Sequence, residues 1–334
     1  MPRVTVILNV FNGEEYLQEA MDSIIGQSFS DFELIVIDDH SSDGTAGILE
    51  AYTDKRIIRL QNETNLGQSL SINRGLEIAR GEYIAKMDAD DRSLPARFSE
   101  QTAFLDLHSS VGLVGAQVRV IDAGGNILGE WRYPTDPLLI RWALQFYNPL
   151  CHPVVMFRRD LVNRLGGYSP TQRLAEDYEL WIRMSQKTEI AQLPLMLLEY
   201  RLHDRQVTQD RFEEMERMVA AMVRRNINTF WDDRPLPDDL IFAIRQLLGV
   251  YPENTRSVSF QAVDLLIRLA KAFCRKNALS RDEVRSIEAQ LAMALSVYGS
   301  AGTSQLKAYA LRQSERLTSS GFMEKYLLKL KRFL

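Results

Sequence analysis

Short apolar runs alternate with amphipathic stretches along the first part of the chain. The runs are rich in Val, Ile and Leu and lack regularly spaced polar positions, which is typical of parallel strands buried on both faces. Strands are predicted at 4–8, 32–37, 57–60 and 83–87. The stretches between them carry apolar residues at helical spacing, which predicts helices at 14–25, from 46, and at 69–79. This alternation predicts an α/β fold with a mostly parallel, doubly wound sheet flanked by helices.

The pattern changes further along the chain. After a predicted helix at 92–107, it predicts strands at 111–120, 127–131 and 193–198, with helices at 138–146 and from 176. Beyond residue 206 only helical periodicity remains, interrupted at prolines and a glycine. The helices predicted there cover 212–231, 238–248, 258–277, 281–298 and 304–317. We therefore predict an α/β domain at 1–205 and an all-helical C-terminal extension at 206–334.

Composition narrows the class of protein. Charged residues make up 25% and hydrophobic residues 46% of the chain, as in ordinary folded proteins. The formal net charge of −4 argues against a general nucleic-acid binder. Two cysteines, Cys151 and Cys274, are too few for a disulfide framework and fit a reducing, cytoplasmic compartment. No apolar run reaches the roughly 18 residues that a membrane-spanning helix needs.

Three polar loops directly follow predicted strands, at 9–13, 38–45 and 88–91. In doubly wound sheets, ligands bind at the carboxyl ends of the strands, where such loops meet. None of the three loops contains the glycine pattern that cradles a dinucleotide or a triphosphate. A bound nucleotide would therefore be held mainly by side chains and a metal ion.

The third loop concentrates acidic side chains. Asp88, Asp90 and Asp91 stand within four residues, and like charges this close raise one another's pKa values unless a cation neutralises them. Mg²⁺ and Mn²⁺ prefer such oxygen ligands and keep further positions for water and phosphates. The alternative is a solvated acidic turn in which Asp91 or Ser93 caps the following helix.

Several motifs occur in fixed order over the first 205 residues. They are Val-Ile-x-x-x-Phe-Asn, Val-Ile-Asp-Asp-x-Ser-x-Asp-Gly-Thr, Asn-Leu-Gly, Asn-x-Gly, Ala-Arg-Gly-Glu-Tyr-Ile-Ala-x-Met-Asp-Ala-Asp-Asp, Glu-Asp-Tyr-Glu-Leu-Trp and Tyr-Arg-Leu-His. Together they resemble the family 2 glycosyltransferases of the GT-A fold, of the type that makes bacterial cell-surface polysaccharides. The resemblance implies an enzyme that uses a nucleotide-sugar donor, with UDP as the expected nucleotide.

The resemblance also implies which residues hold the nucleoside. The loops after the first two strands point to Asn9, Phe11, Asp38 and Asp39, and Asp39 would accept a hydrogen bond from a base N–H. A carboxylate offers only acceptors, which suits that task. The alternative is that 38–45 is only a capped turn leading into the helix from Ala46.

For the metal, Asp88 and Asp90 match the family's Asp-x-Asp motif. Alternate residues of an extended segment point the same way, so Asp88 would share a ribose and a Mn²⁺ or Mg²⁺ ion with Asp90, the first choice as metal ligand. His203 of the Tyr-Arg-Leu-His segment would be a third ligand, since neutral imidazole can bind Mn²⁺. The alternative for His203 is a surface histidine.

For catalysis, the resemblance makes Asp177 the general base of an inverting transfer, with Glu176 as support. The acceptor hydroxyl must lose its proton as it attacks the anomeric carbon, and a carboxylate can take it. The alternative is that both residues only cap a helix. His152 either bonds an acceptor hydroxyl or a phosphate, or is a buried histidine satisfied by backbone groups.

One position departs from the family. Ile72 stands where many members carry an arginine that reaches the nucleotide, and Arg74, two residues further on, is predicted to be a surface residue. The expected acceptor is a hydroxyl of a glycan or lipid-linked saccharide. The alternatives are a nucleotidyltransferase, which would need a basic glycine-rich first loop, and a non-catalytic carbohydrate-binding or scaffold protein.

The last segment, 322–334, combines aromatic and leucine residues with basic ones. It could lie in a membrane interface beside anionic lipid, or be a terminal helix docked on its neighbours. We favour peripheral contact with the inner face of the cell membrane, since lipid-linked sugars are frequent acceptors in the family.

Overall fold

The computed structural model describes residues 1–204, 211–231, 236–250, 259–301, 309 and 312–314. The chain divides into two compact units. The first contains Met1–Ile140 and Asn148–Met215, and the second contains Arg141–Tyr147 with the described residues from Glu216 onward. The predicted division at 205/206 stays a prediction.

The first unit contains one mixed sheet of nine strands in the described part of the chain. The strands are β1 Val4–Val10, β2 Phe32–Asp38, β3 Ile57–Gln61, β4 Tyr83–Asp88, β5 Arg92–Ser93, β6 Val111–Ile121, β7 Ile127–Trp131, β8 Met156–Arg158 and β9 Glu189–Arg201. Their order is β3-β2-β1-β4-β8-β6-β9-β5, and β7 pairs with β6. The first four are parallel, which confirms the α/β sheet predicted from the N-terminal pattern.

Helices of the first unit flank this sheet. They are α1 Leu17–Ile25, α2 Thr45–Ala51, α3 Gln68–Ile78, α4 Arg97–Leu107, α5 Pro137–Ala143, α6 Arg159–Arg164 and α7 Glu176–Ser185, of which α5 extends into the segment grouped with the second unit. One close approach explains a motif glycine. A Cβ atom on Gly81 would lie 2.4 Å from the backbone nitrogen of Thr5, so only glycine fits where β4 begins beside β1.

The predicted helix at 92–107 was wrong at its start. Arg92 and Ser93 instead form β5, antiparallel to the end of β9, and α4 begins only at Arg97. Pro95 accounts for this, because a proline disfavours helical geometry in the residue before it. The short strand keeps the acidic loop beside β9.

The second unit is helical, as predicted. Its described helices are α8 Phe212–Ile227, α9 Asp238–Leu247, α10 Phe260–Lys276 and α11 Arg281–Ala301, of which α8 begins in the segment grouped with the first unit. The segment 322–334 lies outside the described residues, as does most of the predicted helix at 304–317. Among the described helices, none combines the length and the apolar character needed to cross a membrane.

Candidate active site

The register of the sheet brings the three polar loops to one edge. Asn9 at the end of β1 lies directly opposite Ile37 on one side and Asp88 on the other, and Val10 lies opposite Asp38. The carboxyl ends of β1, β2 and β4 therefore meet, as the sequence predicted. The side-chain oxygen of Asn9 is buried there and has no hydrogen-bond partner among the described residues. A buried acceptor without a donor is costly, so this position is suited to a ligand.

The first two loops are bound tightly to each other. Asn12 has a positive φ of 51°; its backbone N–H donates to Ser41 Oγ at 2.9 Å, and its side-chain oxygen accepts from the Ser42 N–H at 2.9 Å. The Glu14 N–H donates to Asp43 Oδ2 at 3.0 Å. This fixed edge carries Phe11, whose side chain is 52% exposed. An exposed aromatic ring on a rigid loop can stack against a base.

Asp38 and Asp39 are both buried and bonded within the protein. Asp38 Oδ1 accepts from the Ser41 N–H at 2.9 Å. Asp39 accepts three hydrogen bonds, from Asn62 Nδ2 at 2.6 Å and from the N–H groups of Leu66 and Gly67, both at 2.8 Å. Only one of these reaches Oδ2, which keeps a second lone pair for another donor. The roles of both aspartates toward a base stay predictions.

Arg74 is a correction to the sequence analysis. It is half-buried rather than a plain surface residue, and its guanidinium donates to the side-chain oxygen of Asn62 and, at 3.2 Å, to the Gln61 carbonyl. Asn62 in turn donates to Asp39, so Arg74 orients the Asp39 carboxylate indirectly, through the Asn62 side chain. Ile72 is buried, as expected of a position that does not reach a nucleotide.

The acidic loop forms a cluster. Asp88, Asp90 and Asp91 each offer a carboxylate oxygen within 4.8 Å of the others. Burial raises the pKa of Asp91 well above its usual value, and repulsion from Asp90 and Asp88 adds to this. The buried Oδ2 of Asp91 has no hydrogen-bond partner among the described residues. The cluster therefore keeps an unsatisfied acceptor at Asp91.

The alternative interpretation of this loop as a helix cap is wrong. Ala96 precedes α4, and no side chain caps that helix. Asp91 Oδ1 instead accepts the backbone N–H of Arg201 at 2.9 Å, which ties the acidic loop to the end of β9.

Lys86 is a charged residue of the site that the sequence analysis missed. Its side chain is 1% exposed, and its ammonium donates to Asp88 Oδ1 and, at 2.7 Å, to the Met87 carbonyl. Burial raises the pKa of Asp88, but the charge and hydrogen bond of Lys86, together with other neighbouring groups, hold that pKa below its usual value. The sequence did contain a signal for this pair, because Lys86 and Asp88 are two residues apart on a strand and therefore point to the same face.

His203 lies beside the acidic cluster. Its Nε2 is 3.0 Å from Asp90 Oδ2, and its side chain is 13% exposed, so it is not a plain surface histidine. Its ring also contacts that of Tyr16, with 5.1 Å between the centroids. The structure thus brings together the residues predicted as metal ligands; that they bind a metal stays a prediction.

Asp177 lies at the start of α7 in buried surroundings. Its Oδ2 accepts from Asn148 Nδ2 at 2.7 Å, and its Oδ1 accepts from the Tyr178 N–H at 2.7 Å. Burial raises its pKa to about 6, although both hydrogen bonds oppose the shift. Burial and the neighbouring Asp177 raise the pKa of Glu176 to about 8. No side chain at the N-cap position bonds the start of α7, but Glu176 and Asp177 both lie in its first turn. The alternative that they stabilise the helix N-terminus stays a prediction beside the catalytic one.

His152 has side-chain partners rather than the backbone groups that one prediction gave it. Its Nδ1 lies 3.3 Å from Gln68 Nε2 and its Nε2 lies 2.9 Å from the Tyr168 hydroxyl. The glutamine amide nitrogen can only donate, so Nδ1 accepts and Nε2 carries the proton. Burial lowers the pKa of His152 to about 3, so the ring is neutral.

Three sequence relatives carry the name of glycosyltransferases. The putative glycosyltransferase EpsE of Bacillus subtilis is 37% identical over 54% of this chain and 66% of its own length. An uncharacterized glycosyltransferase of Haemophilus influenzae is 32% identical over 75% of this chain and 80% of its own length. The Escherichia coli protein WfaP, named as a UDP-Glc:α-D-GlcNAc-diphosphoundecaprenol β-1,3-glucosyltransferase, is 27% identical over 66% of this chain and 86% of its own length.

Solved structures share the fold. Staphylococcus aureus TarS 1–349 in complex with UDP-GlcNAc is 19% identical with a TM-score of 0.58, over 98% of this chain and 92% of that one. A Pyrobaculum calidifontis mannosyltransferase in complex with GDP-Man and Mn²⁺ is 19% identical with a TM-score of 0.53, over 95% of this chain and 87% of that one. The predicted GT-A type fold is thereby confirmed. The sequence model of glycosyl transferase family 2 matches residues 5–166, and with the relatives it shows that the chain belongs to this family and is a glycosyltransferase.

Proposed function

We propose that the protein transfers a sugar from a UDP-linked donor to a hydroxyl of a glycan or lipid-linked saccharide, with inversion at the anomeric carbon. The observation that carries this proposal is the pair of carboxylate groups at one edge of the sheet. One is the cluster of Asp88, Asp90 and Asp91, in which Asp91 keeps an unpartnered oxygen, and the other is the half-buried Asp177. The first suits the diphosphate side of a donor, and the second suits the acceptor side.

The acidic cluster fits a hard divalent cation. Its carboxylate oxygens lie within 4.8 Å of one another, Asp91 Oδ2 is orphaned, and the nearby Asn9 oxygen is orphaned as well. Asp88, Asp90 and His203 are the residues that would hold Mn²⁺ or Mg²⁺. A bound cation would supply Lewis-acid stabilisation to the departing diphosphate. The mannosyltransferase complex with GDP-Man and Mn²⁺ supports the pairing of this fold with such an ion.

Asp177 serves as general base in this proposal. The acceptor hydroxyl gives its proton to Asp177, and its oxygen forms a bond to the anomeric carbon while the bond from that carbon to the phosphate oxygen breaks. The electron pair of the broken bond leaves with UDP. A pKa of about 6 keeps Asp177 ionised at neutral pH yet basic enough to take a proton. Asn148 orients the carboxylate through its 2.7 Å bond to Oδ2.

Asn9, Phe11, Asp38 and Asp39 form the nucleoside side. The unpartnered Asn9 oxygen and the exposed Phe11 ring offer an acceptor and a stacking surface. Both are carried by a loop that is already fixed by hydrogen bonds to the 41–45 segment, so little ordering cost remains on binding. The TarS complex with UDP-GlcNAc supports UDP as the nucleotide.

The acceptor and location are part of the same proposal. WfaP, by its name, acts on a diphosphoundecaprenol-linked sugar, which supports a lipid-linked acceptor. We place the reaction in the cytoplasm, at the inner face of the membrane, and both cysteines are unpaired as that compartment requires. Contact with lipid through 322–334 lies outside the described residues.

The test is a screen of nucleotide-sugars for Mn²⁺-dependent release of nucleoside diphosphate. We expect a UDP-sugar to be turned over, with activity lost in EDTA. Asp90→Ala should remove metal dependence together with turnover, and Asp177→Asn should remove transfer while UDP still binds. Turnover of a GDP-sugar alone would overturn the choice of nucleotide. Full turnover in Asp90→Ala without metal would overturn the cation site.

A further inference from the structure

Arg201 lies at the end of β9 and connects several segments around the acidic cluster. Its side chain is 1% exposed. The guanidinium donates to the Asp90 carbonyl at 2.8 Å, to the Ala123 carbonyl in the β6–β7 turn at 2.9 Å, and to Glu19 Oε2 on α1 at 2.6 Å. A planar group with five fixed donors can join acceptors on three segments at once.

The same side chain also reaches the predicted third ligand. The Arg201 guanidinium lies 4.5 Å from the centre of the Tyr16 ring, and that ring contacts the ring of His203 at 5.1 Å. His203 in turn lies 3.0 Å from Asp90 Oδ2. Arg201 therefore touches the backbone of one candidate ligand directly and supports the other through an aromatic ring.

We propose that Arg201 is a positioning residue for the cation site, which sets Asp90 and His203 at the separation that a divalent ion requires. The inference rests on the proposed function, since it takes the acidic cluster as a metal site. Arg201 forms its ion pair with Glu19 and reaches the acidic loop through the backbone carbonyl of Asp90, so its guanidinium does not take the place of the ion at the Asp90 carboxylate. Residues that orient metal ligands typically contribute about 10- to 100-fold in metal affinity.

Arg201 also connects the cation site to α1, because it bonds both the Asp90 carbonyl and Glu19. This helix follows the nucleoside loop. Glu19 and Tyr16 lie at the start of α1, directly after the segment that carries Asn9 and Phe11. Movement of Arg201 would therefore change the cation side without breaking the hydrogen bonds of the nucleoside loop to 41–45. Loss of Arg201 should reduce the gain in UDP affinity that Mn²⁺ provides, and leave UDP binding in EDTA nearly unchanged.

The experiment measures UDP affinity by calorimetry in EDTA and in saturating Mn²⁺; the ratio of the two dissociation constants is the metal gain. For Arg201→Met we expect that gain to fall about tenfold or more, with UDP affinity in EDTA within about twofold of wild type. Arg201→Lys keeps the charge but not the planar set of donors, and should recover only a small part. Electron paramagnetic resonance of Mn²⁺ with UDP present should show the same order of Mn²⁺ affinities.

Arg92→Met is the matched control. Arg92 donates to the same Glu19 oxygen at 2.5 Å, but its bonds do not include the Asp90 carbonyl. Its metal gain should stay at the wild-type value. If Arg201→Met misfolds by circular dichroism, Tyr16→Leu decides, because it removes the ring between Arg201 and His203, together with the hydrogen bond of the Tyr16 hydroxyl to Glu15. It should lower the gain about tenfold, the lower end of what residues that orient metal ligands contribute.

The outcomes separate the two proposals. A wild-type protein whose UDP affinity does not respond to Mn²⁺ would overturn the cation site and this inference with it. A wild-type metal gain that persists in Arg201→Met, or in Tyr16→Leu if the first variant misfolds, would overturn the role of Arg201 alone. An equal loss of UDP affinity with and without metal would show that Arg201 only maintains the fold.

Discussion

Two buried aspartates at the same edge of the sheet differ in how their charge is met. Asp39 accepts three hydrogen bonds from the 62–67 segment, so its charge is satisfied within the protein. Asp91 accepts one, keeps an orphaned oxygen and lies against two further carboxylates. The hydrogen bonds of the first are made within the protein, and we propose that a cation completes the surroundings of the second. Burial alone therefore does not identify a binding site; unmet charge does.

Asp177 provides the largest test of this contrast, because its carboxylate is the base in the proposed reaction. Asp177→Asn keeps the shape but cannot take a proton, so turnover should fall about 10²- to 10⁴-fold. UDP affinity should stay close to wild type. Steady-state release of UDP and calorimetry measure the two quantities. In the wild type, activity should decline as pH falls through about 6, since the protonated carboxyl is no base.

Asn148→Ala is a variant with an intermediate expected effect, and Asp160→Asn is a surface control. Asn148 holds Asp177 Oδ2, so its loss should cost much less than loss of the base itself, while the Asp160 side chain is 77% exposed and should be silent. If Asp177→Asn transfers sugar at the wild-type rate, Asp177 is not the base.

The raised pKa of Glu176 can be tested through the pH dependence of the free energy of unfolding. Its pKa in the folded protein is raised from 4.5 to about 8, so between these values the folded state holds a proton that the unfolded state has lost. Stability should therefore fall as pH rises through this window. Glu176→Gln should flatten that decline by up to about 1 kcal/mol per pH unit. Urea unfolding in EDTA at pH 5.5 and 7.5 measures the slope, and an unchanged slope would contradict the raised pKa.

Substitution of Asp39 should destabilise the protein, because its carboxylate already accepts three hydrogen bonds. Asp39→Asn places an amide donor where three donors already converge, so the free energy of unfolding should fall by about 2 kcal/mol. Urea unfolding in EDTA measures this, with Asp160→Asn as a surface control of the same chemistry. An unchanged stability would mean that the 62–67 segment is held by other contacts.

The sequence predicted which polar side chains lie at this edge of the sheet better than it predicted their hydrogen-bond partners. Strand periodicity and the positions of loops placed Asn9, Asp38 and Asp88 together, because register follows from buried parallel strands. It did not show that Asn62 and Arg74 hold Asp39 or that Asn148 holds Asp177. These contacts join residues distant in sequence or depend on which way a long side chain turns, and no local pattern determines either. The two-residue strand β5 was not predicted for the same reason, since only its pairing with β9 defines it.

Asp91 should respond in the opposite direction from Asp39, and by less. Asp91→Asn removes the negative charge that Asp91 carries above its raised pKa, while its remaining oxygen can still accept the Arg201 N–H. In EDTA we expect stabilisation by about 1 kcal/mol, or a rise in Tm of about 2–4 °C for a domain of this size. The rise in Tm that Mn²⁺ with UDP gives the wild type should shrink in the variant, because the cluster now attracts the ion less. Thermal scans with and without Mn²⁺ test both effects. If Asp91→Asn and Asp39→Asn destabilise the metal-free protein equally, Asp91 is a structural residue like Asp39, and the acidic loop needs no cation.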